Sequence, residues 1–568
     1  MVSSNPRFLE LLVTRGILTE QDLNYIVKEY KGNAFSLLMY LLGNEIVPKS
    51  TLGRLWGDSI GFSYVELDKT LFDREITHKL PEKFAREHQM ILLYRFGDAI
   101  SAATTTPTEQ YILRKAESIL GTPISPLFAF PVDIEEAIEI EYRSAESIED
   151  LSSKIPTDLF LEDGHKISKE QLEKIAGNEA VIEFAREIIL LGIKEKATDI
   201  HIDPGKDSVQ IRFRIDGILQ DRVKLEKPVL PPLVSRLKIL SNADIVERRK
   251  PQDGKIEFPL PNKSIDIRFS CVPTIHGEKI VMRILGQSLP QDMPELSELY
   301  LSKDTYSKIK HILGYPNGIF FVTGPTGSGK STTLFSALKY LNTPGINIMT
   351  IEDPVEYSLP GANQVQVNPA IHFDFAAGIR AFLRQDPDII LVGEIRDMET
   401  AKIACQAALT GHLVLTTMHT NDALQAVLRL IEIGVPSHLV APSIVGTMAQ
   451  RLVRKICEHC KQAYRLTPEQ IKQWFIWDGK TEVVFYEGKG CSRCNHTGYS
   501  GRIAIHEIAL INDEMRTLIT RNAPISEIRK CAVKRGYRSM YYDGLKKVLR
   551  GLTTIEEINR VSVSEFKS

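Results

Sequence analysis

The nine residues Gly324-Pro325-Thr326-Gly327-Ser328-Gly329-Lys330-Ser331-Thr332 constrain this chain more than any other stretch. They follow a short apolar run, Ile319-Phe320-Phe321-Val322, and precede a helix-compatible segment from Leu334 to Tyr340. Strand, glycine-rich turn and helix in that order form the context in which such a motif reads as a P-loop. Glycines let backbone N–H groups curl around phosphate oxygens without Cβ clashes. The Lys330 ammonium can reach the β- and γ-phosphates and the Ser331 hydroxyl can ligate Mg²⁺, while the following helix aims its positive N-terminus at the anion. The motif predicts a site for a nucleoside triphosphate with Mg²⁺.

A chain of 568 residues is too long for one core and predicts roughly three to four domains. No apolar run approaches the ~18 residues of a membrane span, and the first residues lack a signal-peptide pattern. The expectation is a cytoplasmic protein that meets the membrane only through partners. A net charge of −2 gives no global reason to expect nucleic-acid binding. Seven cysteines in such a chain read as thiols or metal ligands before disulfides.

Residues 1–145 read as small helical units. Phe8, Leu11, Leu12, Ile17, Leu18, Leu23, Ile26 and Val27 fall near helical spacing, and Leu37 to Leu55 partly echoes them. Ala99 to Thr105 suggests a small α+β unit within this region. Residues 146–175 are polar and acidic and read as a flexible linker. Residues 176–295 carry one helical face and two alternating strands, with Arg212, Arg214 and Arg268 on the polar faces. Residues 300–515 alternate apolar strand-length runs (Ile346 to Ile351, Ile389 to Val392, Leu413 to Thr416) with helical sequence, which predicts an α/β fold around a largely parallel sheet. Residues 516–568 look helical and carry no chemical signal.

Nucleotide hydrolysis needs a polarised water and charge stabilisation besides a phosphate cradle. Asp388-Ile389-Ile390-Leu391-Val392-Gly393-Glu394 places an acid just past a buried strand, and Glu394 has the reach to position water. Glu352-Asp353-Pro354-Val355-Glu356 follows another strand and keeps carboxylates on the sheet rim, where ligands of such sheets bind. His412 and His419 bracket one strand, and His419, beside Thr420 and Asn421, is the better placed to sense a γ-phosphate. Cys457, Cys460, Cys491 and Cys494 form two CxxC knuckles that can hold one tetrahedral Zn²⁺. Their separation exceeds ordinary zinc-ribbon spacing, so residues 457–494 must form an excursion of their own. Cys271, Cys405 and Cys531 stand in apolar or helical sequence and read as core residues.

Four ordered blocks resemble the Walker A, Asp, Walker B and His boxes of the secretion ATPases that power type II secretion and type IV pilus assembly. They are the P-loop, Glu352 to Glu356, Arg384 to Asp397 and the two-histidine strand. The resemblance makes the nucleotide ATP and implies a RecA-like ATPase domain after an α+β, PAS-like N2 domain and a small, mainly helical N1 domain, assembled as a homo-hexameric ring. It implies Glu394 as catalytic glutamate, Glu352 as orienting water or Mg²⁺, and N2 arginines reaching the γ-phosphate, with Arg214, Arg268 and Arg283 the candidates. The tetracysteine element is similar to that of assembly-type members. Arg7-Phe8-Leu9 resembles the N1 motif that binds cyclic di-GMP in some members, but Phe8 and Leu9 replace Leu-Gly, and Leu9 would hinder close backbone approach. Docking to an inner-membrane platform protein is therefore the expected role of that domain. A DNA translocase and a non-hydrolysing nucleotide-binding scaffold are the competing readings; the first lacks basic runs interleaved with aromatics, and the second has no use for Glu394.

Overall fold

Val209, Ile211 and Phe213 alternate with Gln210, Arg212 and Arg214, and this period of two folds into a strand with one buried face. The computed structural model describes residues 5–19, 34–44, 46–155, 169–285, 293–475 and 482–562. The chain divides into two compact units, Met1–Gln287 and Ser288–Ser568.

In the first unit, helices Pro6–Thr14, Ala34–Gly43 and Lys49–Ile60 collect Phe8, Leu12, Leu38, Leu41 and Trp56 into a small core. Phe8 meets Trp56 edge-on with ring centroids 5.0 Å apart. Of the first helical segment that Leu37 to Leu55 echoes, Leu23, Ile26 and Val27 lie outside the described residues. A three-stranded sheet follows, β1 (Met90–Phe96), β2 (Ala99–Thr104) and β3 (Ile124–Phe128) in that order, so the expected α+β unit is present.

The stretch expected to be a linker is helical at both ends, over Ala145–Ser152 and Lys169–Ala176. Ser144 and Ser147 form a capping box, and Ile148 is fully buried in the core of the next domain. Acidic composition masked an apolar pair, Ile148 and Leu151, at helical spacing. Residues 156–168 of this stretch lie outside the described residues.

That next domain is a six-stranded antiparallel sheet, β4 (Asp199–Pro204), β5 (Ser208–Ile215), β6 (Ile218–Glu226), β7 (Gln252–Pro259), β8 (Ser264–Thr274) and β9 (Gly277–Ile284), ordered β6-β5-β4-β9-β8-β7. Helices Glu179–Lys194 and Leu230–Leu240 cover its apolar face, burying Phe184, Ile188, Leu233 and Leu237 against Phe213, Ile267 and Phe269. Each such side chain contributes about 1.5–3 kcal/mol.

The second unit is built on a seven-stranded sheet. Its members are β10 (Gly318–Thr323), β11 (Ile348–Glu352), β12 (Asn363–Gln366), β13 (Ile389–Val392), β14 (Leu413–Met418), β15 (Ile444–Ile456) and, at one edge, β18 (Tyr499–Leu510). The order is β12-β11-β13-β14-β10-β15-β18, parallel except for β18. Alternate residues feed two cores: Phe320, Val322, Leu391 and Leu415 on one face, Phe321, Ile390, Val392 and Val414 on the other. Burial on both faces explains why these strands read as continuous apolar runs. Between β15 and β18 lies the anticipated excursion, with β16 (Lys461–Tyr464) paired to β17 (Phe485–Gly488) and a helix over Pro468–Trp474. Phe485 and Ile471 of this excursion pack on Tyr541 and Leu545 of helix Met540–Leu549, which gives part of the C-terminal region a structural task. No helix among the described residues is long and apolar enough to cross a membrane.

Candidate active site

The P-loop leaves the C-terminal end of β10 and enters helix Lys330–Leu341. Gly324, Gly327 and Gly329 all have φ in the left-handed half of conformational space, at 146°, 76° and 86°. A Cβ on Gly324 would stand 2.5 Å from Ser328 Oγ and 2.6 Å from the Gln450 carbonyl. Only glycine fits there. Ser328 Oγ is buried with no hydrogen-bond partner, so the cradle holds an unspent polar atom as well as its backbone N–H groups. Pro325, Thr326 and Gly327 are exposed at the loop's crest, and Ser331 and Thr332 are half-buried in the first helical turn. Lys330 Nζ donates to the carbonyls of Gly324 and Pro325 at 2.9 and 3.0 Å. Burial lowers its pKa, Glu394 pulls it back up, and Arg451 lowers it further. These features fit a triphosphate, with the Ser331 hydroxyl as the group that would hold Mg²⁺.

Glu394 follows β13 and pairs with Arg396. His419 Nε2 stands 3.5 Å from its other carboxylate oxygen. The strand end is fixed by two bonds: Gly393 N–H donates to the Ile351 carbonyl at 2.8 Å and Thr417 Oγ1 donates to the Gly393 carbonyl at 2.7 Å. Glu352 ends β11, buried, and accepts from Thr350 Oγ1 at 2.7 Å and Gln364 Nε2 at 3.1 Å. Burial raises its pKa against those two hydrogen bonds. The P-loop, Glu352, Glu394 and His419 therefore share one rim of the sheet, formed by the C-terminal ends of β10, β11, β13 and β14.

Sequence reasoning missed Gln450. From β15, its Nε2 donates to the Ser328 carbonyl at 2.7 Å and its Oε1 accepts from Thr333 Oγ1 at 2.9 Å. One buried amide thus ties the loop to the first turn of its helix. Arg396 was missed too, and only its place two residues after Glu394 could have suggested it.

Residues at the other end of the sheet are occupied structurally. His412 Nδ1 lies 2.9 Å from the Ala407 carbonyl, and Asp388 accepts the Asn347 N–H at 2.7 Å. On the rim that carries Glu394, beyond the C-terminal end of β13, Asp397 is also spent structurally: it caps helix Met398–Leu409 by accepting the Thr400 N–H at 2.8 Å.

In the first unit the three arginine candidates form one row. Arg214 pairs in register with Asp199, Asp199 with Arg283, and Arg283 with Arg268, across β5, β4, β9 and β8. Arg283 Nε donates to Asp199 Oδ1 at 2.8 Å and Arg214 Nε lies 3.5 Å from Oδ2, whereas Arg268 is exposed. One carboxylate serves two of the three guanidinium groups, Arg214 and Arg283, which leaves the row cationic.

The four cysteine sulfurs all lie within 4.8 Å of one another. Cys457–Cys491, Cys460–Cys494 and Cys491–Cys494 are 3.9, 3.8 and 3.7 Å apart. A tetrahedral zinc with Zn–S of about 2.3 Å requires sulfur separations of about 3.8 Å, while a disulfide requires about 2.05 Å. Burial pushes the Cys494 thiol up, but N–H groups of Cys491 and Gly498 aimed at its sulfur bring it down to about 7. Gly498 passes so close to Gly488 that a Cβ on Gly488 would meet the Gly498 carbonyl at 2.0 Å. The donor set fits zinc. Cys271, Cys405 and Cys531 are buried elsewhere.

Sheet order, P-loop and rim carboxylate together define a RecA-like P-loop ATPase. The family model described as "Type II/IV secretion system protein" matches residues 174–560, and that described as "MshEN domain" matches residues 60–148. The chain belongs to the type II/IV secretion system protein family. It is 37% identical to the type IV pilus assembly ATPase PilB of Myxococcus xanthus, over 97% of this chain and 98% of that protein. It is 40% identical to type II secretion system protein E of Dickeya dadantii, over 88% of this chain and all of that protein. The same identity holds to PilB of Thermus thermophilus, of whose length the chain spans 56%.

Proposed function

We propose that the chain is an ATP-hydrolysing motor that drives assembly of type IV pilus or type II secretion pseudopilus subunits, acting from the cytoplasmic side of the inner membrane. One observation carries the reading: Glu394 and His419 meet on the rim that also bears Lys330 of the P-loop. Glu394 positions the attacking water, Glu352 supports water or Mg²⁺, His419 reads the γ-phosphate, and Lys330 binds β- and γ-oxygens. Bound Mg²⁺ would neutralise charge developing on the phosphates. The cationic row Arg214, Arg268 and Arg283 supplies charge to a γ-phosphate within a homo-hexameric ring. Domains run as 1–145 (N1, docking to an inner-membrane platform protein), 176–295 (N2), 300–515 (ATPase) and 516–568 (C-terminal helices), with the linking stretch between N1 and N2. No direct nucleic-acid contact is assigned, and cyclic di-GMP is not assigned to N1.

Steady-state ATP hydrolysis, measured with oligomeric state on the same samples, tests this. Turnover that rises with hexamer content and disappears in Glu394→Gln supports the motor; equal turnover in parent and variant refutes the role of Glu394. Cys457, Cys460, Cys491 and Cys494 hold one structural Zn²⁺ per chain in this reading. Elemental analysis should find about one zinc, and Cys460→Ser should abolish it and lower the melting temperature by at least about 5 °C. Protein purified without chelator that contains no zinc would end that assignment.

A further inference from the structure

Three consecutive residues beyond His419 and Thr420 are each held by a side chain from a different element. The ladder of β14 ends at Met418, whose carbonyl accepts the Gly324 N–H at 3.3 Å. Past that point, Arg451 Nη2 of β15 reaches the carbonyl and Oδ1 of Asn421 at 3.3 and 3.4 Å. Arg529 Nη2, from helix Ile525–Lys534, pairs with Asp422 Oδ2 at 2.9 Å. Glu507 Oε1, from β18, accepts the Ala423 N–H at 2.8 Å. Asp422 Oδ1 takes the Gln425 N–H at 2.8 Å, at the start of helix Gln425–Glu432, so the clasp ends where regular structure resumes.

Glu507 is the buried member of this clasp. Its second oxygen accepts the Met540 N–H at 3.0 Å, at the first residue of helix Met540–Leu549. Its neighbours on the same face of β18, Ile505 and Ala509, lie in the apolar core, so packing alone does not call for a carboxylate between them. A buried carboxylate is costly unless hydrogen bonds offset its lost hydration, and bonds to an ionised acceptor are roughly twice as strong as neutral ones. Both bonds go to main-chain N–H groups, one on the loop that follows His419 and one on the C-terminal helix. With the strand ended, the clasp fixes the path of the loop and with it the place of His419, whose Nε2 stands 3.5 Å from Glu394. A displacement of about 1 Å at such a site can cost as much as ~100-fold in rate.

On the catalytic roles proposed for Glu394 and His419, we infer that Glu507 and Arg529 are positioning residues for ATP hydrolysis: they hold the loop after His419 from behind and tie it to the C-terminal helices.

Steady-state ATP hydrolysis by Glu507→Gln, His419→Ala and the double variant, each well below its melting temperature, tests this. The amide keeps the carboxylate's shape but sets an NH₂ against one of the two N–H groups. Glu507→Gln should lower kcat about fivefold, less than the roughly tenfold expected of His419→Ala, and leave KM for ATP within about twofold, because Lys330 and Ser331 are untouched. In the His419→Ala background the same change should cost less than about twofold, as for two groups that act as one unit. A merely structural Glu507 would lower kcat by the same factor in both backgrounds. Arg529→Gln, on the half-buried side of the clasp, should lower kcat about threefold, again only when His419 is present. Should Glu507→Gln fail to fold, Arg529→Gln alone decides. Parental kcat in the folded variant, or a loss that is equal with and without His419, would overturn the inference. Parental kcat in His419→Ala would overturn the role of His419 and this inference with it, whereas Glu394 stands or falls by its own variant.

Discussion

The two ends of the parallel sheet carry the same kinds of residue and use them for different ends. At the C-terminal ends of β13 and β14, Glu394 and His419 face each other, with Arg396 on the carboxylate's other oxygen, so the pair is held by side chains alone. At the opposite ends of the same two strands, Asp388 and His412 are consumed by backbone groups, the Asn347 N–H and the Ala407 carbonyl. Residue type does not separate these pairs. The polarity of the strand does, because the P-loop and the N-terminus of its helix lie at the C-terminal rim, where an anion is stabilised.

The largest expected difference between the two ends is in turnover. Glu394→Gln should lower kcat by about 100-fold or more while nucleotide binding persists, the loss expected when a water-positioning base is removed. Asp388→Ala should leave kcat within twofold and lower stability by about 1 kcal/mol, because its side chain is exposed and its bond is to one N–H. Rapid-quench hydrolysis and denaturant melts on both variants read the two effects. A kcat loss in Asp388→Ala as large as that in Glu394→Gln would break the comparison.

Gln450 extends the rim to β15. Gln450→Ala strips the Ser328 carbonyl and the Thr333 hydroxyl of a buried partner, with a cost of about 1–3 kcal/mol. Part of that cost should appear as nucleotide affinity about tenfold weaker, equivalent to about 1.4 kcal/mol. Fluorescent-nucleotide titration measures it, and unchanged affinity would confine Gln450 to a packing role.

What the sequence revealed follows how local each feature is. The P-loop, Glu394, Glu352, His419 and the CxxC pairs are contiguous motifs, and their neighbours in sequence supply their context. Gln450 acts on Ser328 and Thr333 from 122 and 117 residues away, so no window of sequence contains the relation. The arginine row lies between these cases. Alternation put Arg214 and Arg268 on polar faces, but only the register of β5, β4, β9 and β8 aligns them with Arg283 and sets Asp199 between Arg214 and Arg283. The acidic stretch after residue 145 misled for the opposite reason: composition outweighed the helix signal of Ile148 and Leu151, whose burial comes from a neighbouring domain.

The smallest expected effect gives the sharpest test, because it sets histidine against histidine on one strand. His419 is half-exposed and stands 3.5 Å from Glu394, so His419→Ala removes a group from the rim without opening a core. It should lower kcat roughly tenfold and leave the melting temperature within about 2 °C. His412 is bound to the Ala407 carbonyl in the turn between helix Met398–Leu409 and β14. His412→Ala should cost about 0.5–1.5 kcal/mol and leave kcat unchanged. The two variants exchange their effects if strand polarity is not what assigns the roles. Activity lost in His412→Ala at full stability would mean that chemistry reaches the N-terminal rim, against every contact His412 makes.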